Sequence, residues 1–107
     1  MDKELALLGK KIAELRNQRG LTQDKLAELV NYSTNHIAKL ESARTNPSYE
    51  LILNLANALN VELKDLFDFK KEKKPEYYKN KLINLINNAD NKKLSALYKL
   101  CKLFLDA

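Results

Sequence analysis

Residues 21–48, LTQDKLAELVNYSTNHIAKLESARTNPS, decide the fold. They hold two short helical patterns separated by a tight polar turn. In the first, Leu21, Leu26, Ala27, Leu29 and Val30 supply the apolar positions. Thr22 stands where a hydroxyl can accept from the orphaned amides of a first turn. In the second, Ile37 and Leu40 point inward and Ser33 takes the capping position. Asn31 and Tyr32 leave room for a turn of only about three or four residues, and Asn tolerates a left-handed backbone better than most residues. Helices joined so closely cannot lie side by side, so they cross steeply.

The second helix carries its chemistry on the side away from Ile37 and Leu40. At about 100° per residue, Asn35 and Ser42 lie opposite that apolar stripe, with Ala38 and Lys39 beside them. Thr34 and His36 fall on the flanks near the N-terminal end. Such a face, with no large apolar group, suits the edges of bases in a major groove. Asn bonds adenine at two points, Lys donates to guanine, and Thr offers a hydroxyl or a methyl. Read alone, the same face is equally a solvated helix surface. The spacing around it decides.

The segments LGKKIAELRNQRGLTQDKLAEL, IAKLESART, NPS and NLANALNVELKDLF, in that order, resemble the Cro/Xre-type (phage-repressor-like) helix-turn-helix transcriptional regulators. The resemblance covers residues 8–67, and it implies a five-helix DNA-binding domain. It places base-reading roles on Thr34, Asn35, His36 and Lys39. DNA-backbone contacts fall to Gln23 at the start of the second helix and to Ser42, Arg44, Thr45 and Asn46 at and beyond the end of the third. It also implies an ion pair between Arg16 in helix 1 and Glu41 closing helix 3. Where the family often has Gly, before helix 3 and just after it, this chain has Asn31 and Ala43. Ala is a poor left-handed residue, so helix 3 is expected to run on or close differently there.

Working outward, helix 1 is expected over residues 3–18, with Leu5, Leu8, Ile12 and Leu15 on one face and Gly20 just past its end. Ser48 is the expected cap of helix 4, whose core face is Leu51, Ile52, Leu55, Ala56 and Leu59, and Asn60 is expected to end it in the left-handed conformation. Val61, Leu63, Leu66 and Phe67 then form a short fifth helix that closes the core. Residues 1–68 make the DNA-binding domain, and residues 69–75, FKKEKKP, are a charged linker. Residues 76–107 form two amphipathic helices: Tyr78, Leu82, Leu85, Ile86 and Ala89 line the first, and Leu94, Leu97, Cys101 and Phe104 the second, with Asp90 as a cap. The whole is all-α.

The 107 residues suffice for one small domain with an appendage. Net charge is +5, yet residues 1–68 carry −1 and residues 69–107 carry +6. DNA affinity must therefore come from a few placed cations, amides and helix N-termini rather than from a bulk positive field. No apolar run reaches the roughly 20 residues of a membrane span, and the N-terminus lacks a signal-peptide core, so a cytoplasmic protein without a membrane role is expected. Cys101 is the sole cysteine and lies in an apolar stripe, which reads as a buried, reduced thiol. With one His, one Cys and no Gly-rich phosphate loop, no nucleophile–base pair, metal set or cofactor site is expected, and an enzyme is disfavoured.

A lone two-helix hairpin is too small to bury its apolar stripe, so it must pack on something. The expectation is an antiparallel hairpin that meets a second copy, with Leu82, Leu85, Ile86, Leu94, Leu97, Cys101 and Phe104 at the homodimer interface. Folding back onto the N-terminal domain is the other outcome. The functional expectation is a dimeric repressor that binds double-stranded DNA at an inverted-repeat operator. The alternative is a protein-interaction module, such as an antitoxin paired with a toxin or a regulator controlled by a protein antagonist, acting through the C-terminal helices.

Overall fold

The computed structural model describes residues 3–69 and 73–106. Lys70, Lys71 and Glu72 of the expected linker lie outside the described residues. The chain divides between Asp68 and Phe69 into two compact units, and the described residues form helices and no strands.

The first unit contains α1 (Lys3–Gln18), α2 (Gln23–Val30), α3 (Thr34–Glu41), α4 (Tyr49–Ala58) and a 3-10 turn (Leu63–Phe67). Three helices begin at a hydroxyl cap. Thr22 accepts from the Lys25 amide at 3.0 Å, Ser33 from that of His36 at 3.1 Å and Ser48 from that of Leu51 at 3.1 Å. Four helix ends close by one device: a left-handed residue, followed by an amide that reaches back to a carbonyl of the last turn. Gly20 (φ 66°), Asn31 (60°), Ala43 (61°) and Asn60 (55°) occupy those positions. The amides of Leu21, Tyr32, Arg44 and Val61 then bond the carbonyls of Arg16, Ala27, Lys39 and Ala56 at 2.8–3.1 Å.

Ala43 is a correction to the sequence reading. It adopts the left-handed conformation in spite of its Cβ, and α3 stops there. Burial explains why the strain is tolerated: Ala43 is 7 % exposed, so its methyl is held in the core. The 2.8 Å Arg44 bond also gives the Lys39 carbonyl, in the last turn of α3, a backbone partner.

The core lies where the five elements meet. Ile12, Leu26, Ile37, Leu40, Leu51, Leu55, Leu59 and Leu66 are fully buried. Each such side chain withdrawn from water contributes about 1.5–3 kcal/mol. Leu29, expected among the apolar positions of α2, is instead exposed. It sits about 100° around the helix from the direction shared by Leu26, Ala27 and Val30. The fifth element is a 3-10 turn rather than an α-helix, started by the Asp65 carboxylate accepting from the Glu62 amide at 2.9 Å. Three-residue periodicity puts Leu63 and Leu66 on one side, both buried, and leaves Phe67 largely outside the core it was expected to close.

The second unit contains α5 (Pro75–Asn88) and α6 (Asn91–Asp106). Pro75 opens α5 instead of ending the linker, its missing N–H costing nothing at a first helical position. Asp90 caps α6 by accepting from the Lys93 amide at 2.8 Å. The two helices make little close contact with each other, and no residue of either is buried. Leu82, Leu85, Ile86 and Leu94 are exposed, whereas Leu97 and Phe104 are half-buried. Cys101, expected to be buried, is exposed.

Candidate nucleic-acid interface

α3 is positioned from three sides. Its Ile37 and Leu40 enter the core, α2 packs against it across the Asn31–Ser33 turn, and α1 crosses its C-terminal end. The crossing is close because residue 9 is glycine. A Cβ on Gly9 would stand 2.5 Å from the Leu40 carbonyl oxygen and 2.8 Å from that of Glu41, nearer than any real carbon.

A polar network fastens the same corner. Arg16 donates from Nε to Glu41 Oε2 at 2.7 Å and from Nη2 to Oε1 at 3.0 Å, a bidentate pair joining the ends of α1 and α3. Their side chains are 13 % and 7 % exposed. Arg16 Nη1 also donates to the Leu21 carbonyl at 2.8 Å, and Gln23 Nε2 donates to Glu41 Oε1 at 3.0 Å, which brings in the start of α2. The hydrogen bonds to Glu41 raise the Arg16 pKa above its ordinary value; desolvation works against them, and the attraction of the two charges adds to the rise.

The candidate base-reading residues sit together on the outer side of α3, each with a different freedom. Asn35 and Lys39 are exposed, and their side chains make no hydrogen bond or ion pair among the described residues. The half-buried His36 ring lies 4.9 Å from that of Tyr32, centroid to centroid, tilted by 39°. Thr34 is exposed but engaged: its hydroxyl donates to Asp24 Oδ1 at 2.5 Å.

The candidate backbone contacts divide in the same way. Gln23 spends one amide hydrogen on Glu41 and keeps the other. Ser42 donates its single hydroxyl proton back to the Ala38 carbonyl at 2.9 Å, with Lys39 O at 3.2 Å. Arg44 and Asn46 are exposed and Thr45 half-buried in the loop between α3 and α4. Asp24, Tyr32 and Gly9 were given no part at this site by the sequence. Asp24 and Thr34 are ten positions apart across a turn, a separation with no helical period to signal the contact.

The described residues contain no cluster of His, Cys, Asp and Glu able to hold a metal ion, and no helix among them is long and apolar enough to cross a membrane.

Comparison with known proteins agrees with this geometry. The helix-turn-helix family model HTH_3 matches residues 12–66. The chain is 38% identical over 56 residues to the immunity repressor protein of Bacillus phage phi105, covering 52% of this chain and 39% of that one. It is 30% identical over 90 residues to the HTH-type transcriptional regulator ImmR of Bacillus subtilis, covering 84% and 67%. Among solved structures, the restriction-modification controller protein C.AhdI of Aeromonas hydrophila superposes with a TM-score of 0.60 at 35% identity, over 62% of this chain and all of that one. A chain of the SinR/SinI protein complex superposes with a TM-score of 0.56 over 94% of this chain and 99% of its own, at 22% identity, a likeness of fold alone. The chain belongs to the helix-turn-helix family, as a Cro/Xre-type DNA-binding transcriptional regulator.

Proposed function

We propose that this regulator is a dimeric repressor that reads an inverted-repeat operator through α3, with the apolar faces of α5 and α6 holding two copies together. The observation that carries the reading is the pair of unengaged side chains, Asn35 and Lys39, on the exposed face of a helix fastened from three sides. Asn35 pairs with adenine and Lys39 with guanine; Thr34 and His36 complete the base-reading set. Gln23, Arg44, Thr45 and Asn46 meet phosphates, and Ser42 joins them only by giving up its bond to Ala38. The similarity to a phage immunity repressor supports repression as the sign of regulation.

The second unit supports self-association. Leu82, Leu85, Ile86 and Leu94 are 51, 65, 45 and 37 % exposed, and Cys101 is exposed as well. A stripe of that size in water marks an interaction surface. A second copy is the simplest cover, since two-fold dimers are the commonest assemblies and the paired operator needs one. Leu97 and Phe104, half-buried, form the inner side of the interface. We place the protein in the cytoplasm, with no catalytic activity, cofactor or membrane partner.

A second reading is favoured by one observation. The SinR/SinI structure is a complex between two proteins, and its fold follows nearly the whole of this chain. On that reading a protein antagonist or toxin covers the same stripe and governs DNA binding.

Selection of bound sequences from randomised double-stranded DNA, at near-physiological salt, tests the proposal. The expected result is an enriched inverted repeat with half-site centres about 10 bp apart. An enriched single half-site would refute the dimer, and no enrichment would refute base reading by α3.

A further inference from the structure

The Thr34 hydroxyl carries one proton, and that proton is committed to Asp24 at 2.5 Å. Threonine branches at Cβ into an oxygen and a methyl, and only these two groups can meet a base edge. Phosphates, guanine N7 and O6 and thymine O4 are all acceptors, so a hydroxyl already donating to a carboxylate offers them nothing; its lone pairs still accept from an adenine N6 or cytosine N4 amino group, a contact that replacing thymine by uracil separates from a methyl one. Asp24 lies in the first turn of α2, across the turn from the start of α3. Thr34 is the first residue of α3 and is exposed, so the rest of its side chain is available to an approaching groove.

We infer that Thr34 reads the C5-methyl group of a thymine through its own methyl, with Asp24 as the positioning residue that turns the hydroxyl away. This deepens the proposal that α3 reads bases, and rests on it. Contact between the two methyls withdraws about one CH₂ equivalent from water. That corresponds to a preference for thymine over uracil of roughly four-fold, about 0.8 kcal/mol. Uracil differs from thymine only in lacking that methyl, so hydrogen-bonding patterns and pairing stay the same.

The test uses the full chain on its selected duplex, with each thymine of one half-site replaced in turn by deoxyuridine. At one position the wild-type protein and Thr34→Val should bind the uracil duplex roughly four-fold more weakly. Thr34→Ser, which keeps the hydroxyl and loses the methyl, should bind both duplexes equally. Asp24→Ala should erode the discrimination, and Asp24→Asn, whose amide oxygen still accepts, should restore it. The inference is overturned if no thymine is sensitive in the wild type, or if Thr34→Ser keeps the sensitivity that Thr34→Val loses. Loss of affinity by Thr34→Val for one base, with uracil making no difference, would mark the hydroxyl as the reader and also overturn it. Failure of the wild-type protein to select any sequence would instead refute the underlying role of α3.

Discussion

Replacing Gly9 by alanine sets two physical effects against each other. Gly9 lies in the middle of α1, where alanine is the better helix former by about 1 kcal/mol. Helix propensity alone therefore predicts a more stable protein. The new Cβ, however, would stand 2.5 Å from the Leu40 carbonyl oxygen and 2.8 Å from that of Glu41. Such carbon–oxygen contacts ordinarily lie at about 3.3 Å or more, so α1 and α3 must separate by several tenths of an ångström. Both obstacles are backbone atoms, and Leu40 O is already accepting the Ala43 amide at 3.1 Å. Overpacking against a rigid neighbour costs up to about 3 kcal/mol. The expected net is a loss of about 2 kcal/mol, or a fall in Tm of the order of 10 °C for a unit of this size. Thermal unfolding followed by circular dichroism, at one fixed protein concentration because self-association adds to apparent stability, measures it. Glu14→Ala, at an exposed position of the same helix, is the control and should change little. A Gly9→Ala protein as stable as the wild type would show that α1 and α3 are not held as closely as described.

Four further substitutions address the corner, the DNA-facing residues and the second unit. Arg16→Ala leaves Glu41 buried without its cation and should cost about 3–5 kcal/mol, read from the urea midpoint; an unchanged midpoint would refute the role of the pair. Because the pair raises the Arg16 pKa, its charge persists below the ordinary arginine range and is lost only as pH rises through the raised value, so this cation sets no stability transition between pH 5 and 9. Asn35→Ala should lose about 1–3 kcal/mol of discrimination at one base pair, whereas Arg44→Ala should weaken binding to all sequences alike and lower the salt slope by about 1, both measured by titrating specific and scrambled duplexes. Leu82→Glu should leave the first unit folded and convert a dimer to monomer in sedimentation equilibrium; a dimer that survives would place the interface elsewhere.

What the sequence determined by itself was local. Thr22, Ser33, Ser48 and Asp90 act as helix caps because a side-chain oxygen at that position bonds an amide three residues away, a range set by backbone geometry alone. The core followed from periodicity at Ile12, Leu26, Ile37, Leu40, Leu51 and Leu55, because the side chains that face inward on an isolated helix are those that must leave water. Arg16 and Glu41 were paired only through family resemblance, since 25 positions of chain separate them and no period links them. Tertiary structure alone decided the rest, where elements distant in sequence meet. Gly9 is required by the carbonyls of α3, not by anything in α1. Ala43 is tolerated in a left-handed turn because the core buries its methyl. Thr34 is turned by a carboxylate on another helix. In the second unit both helices were legible, but burial was not. An apolar stripe states that something must cover it and carries no record of what does, which is why Cys101 was expected inside and is exposed.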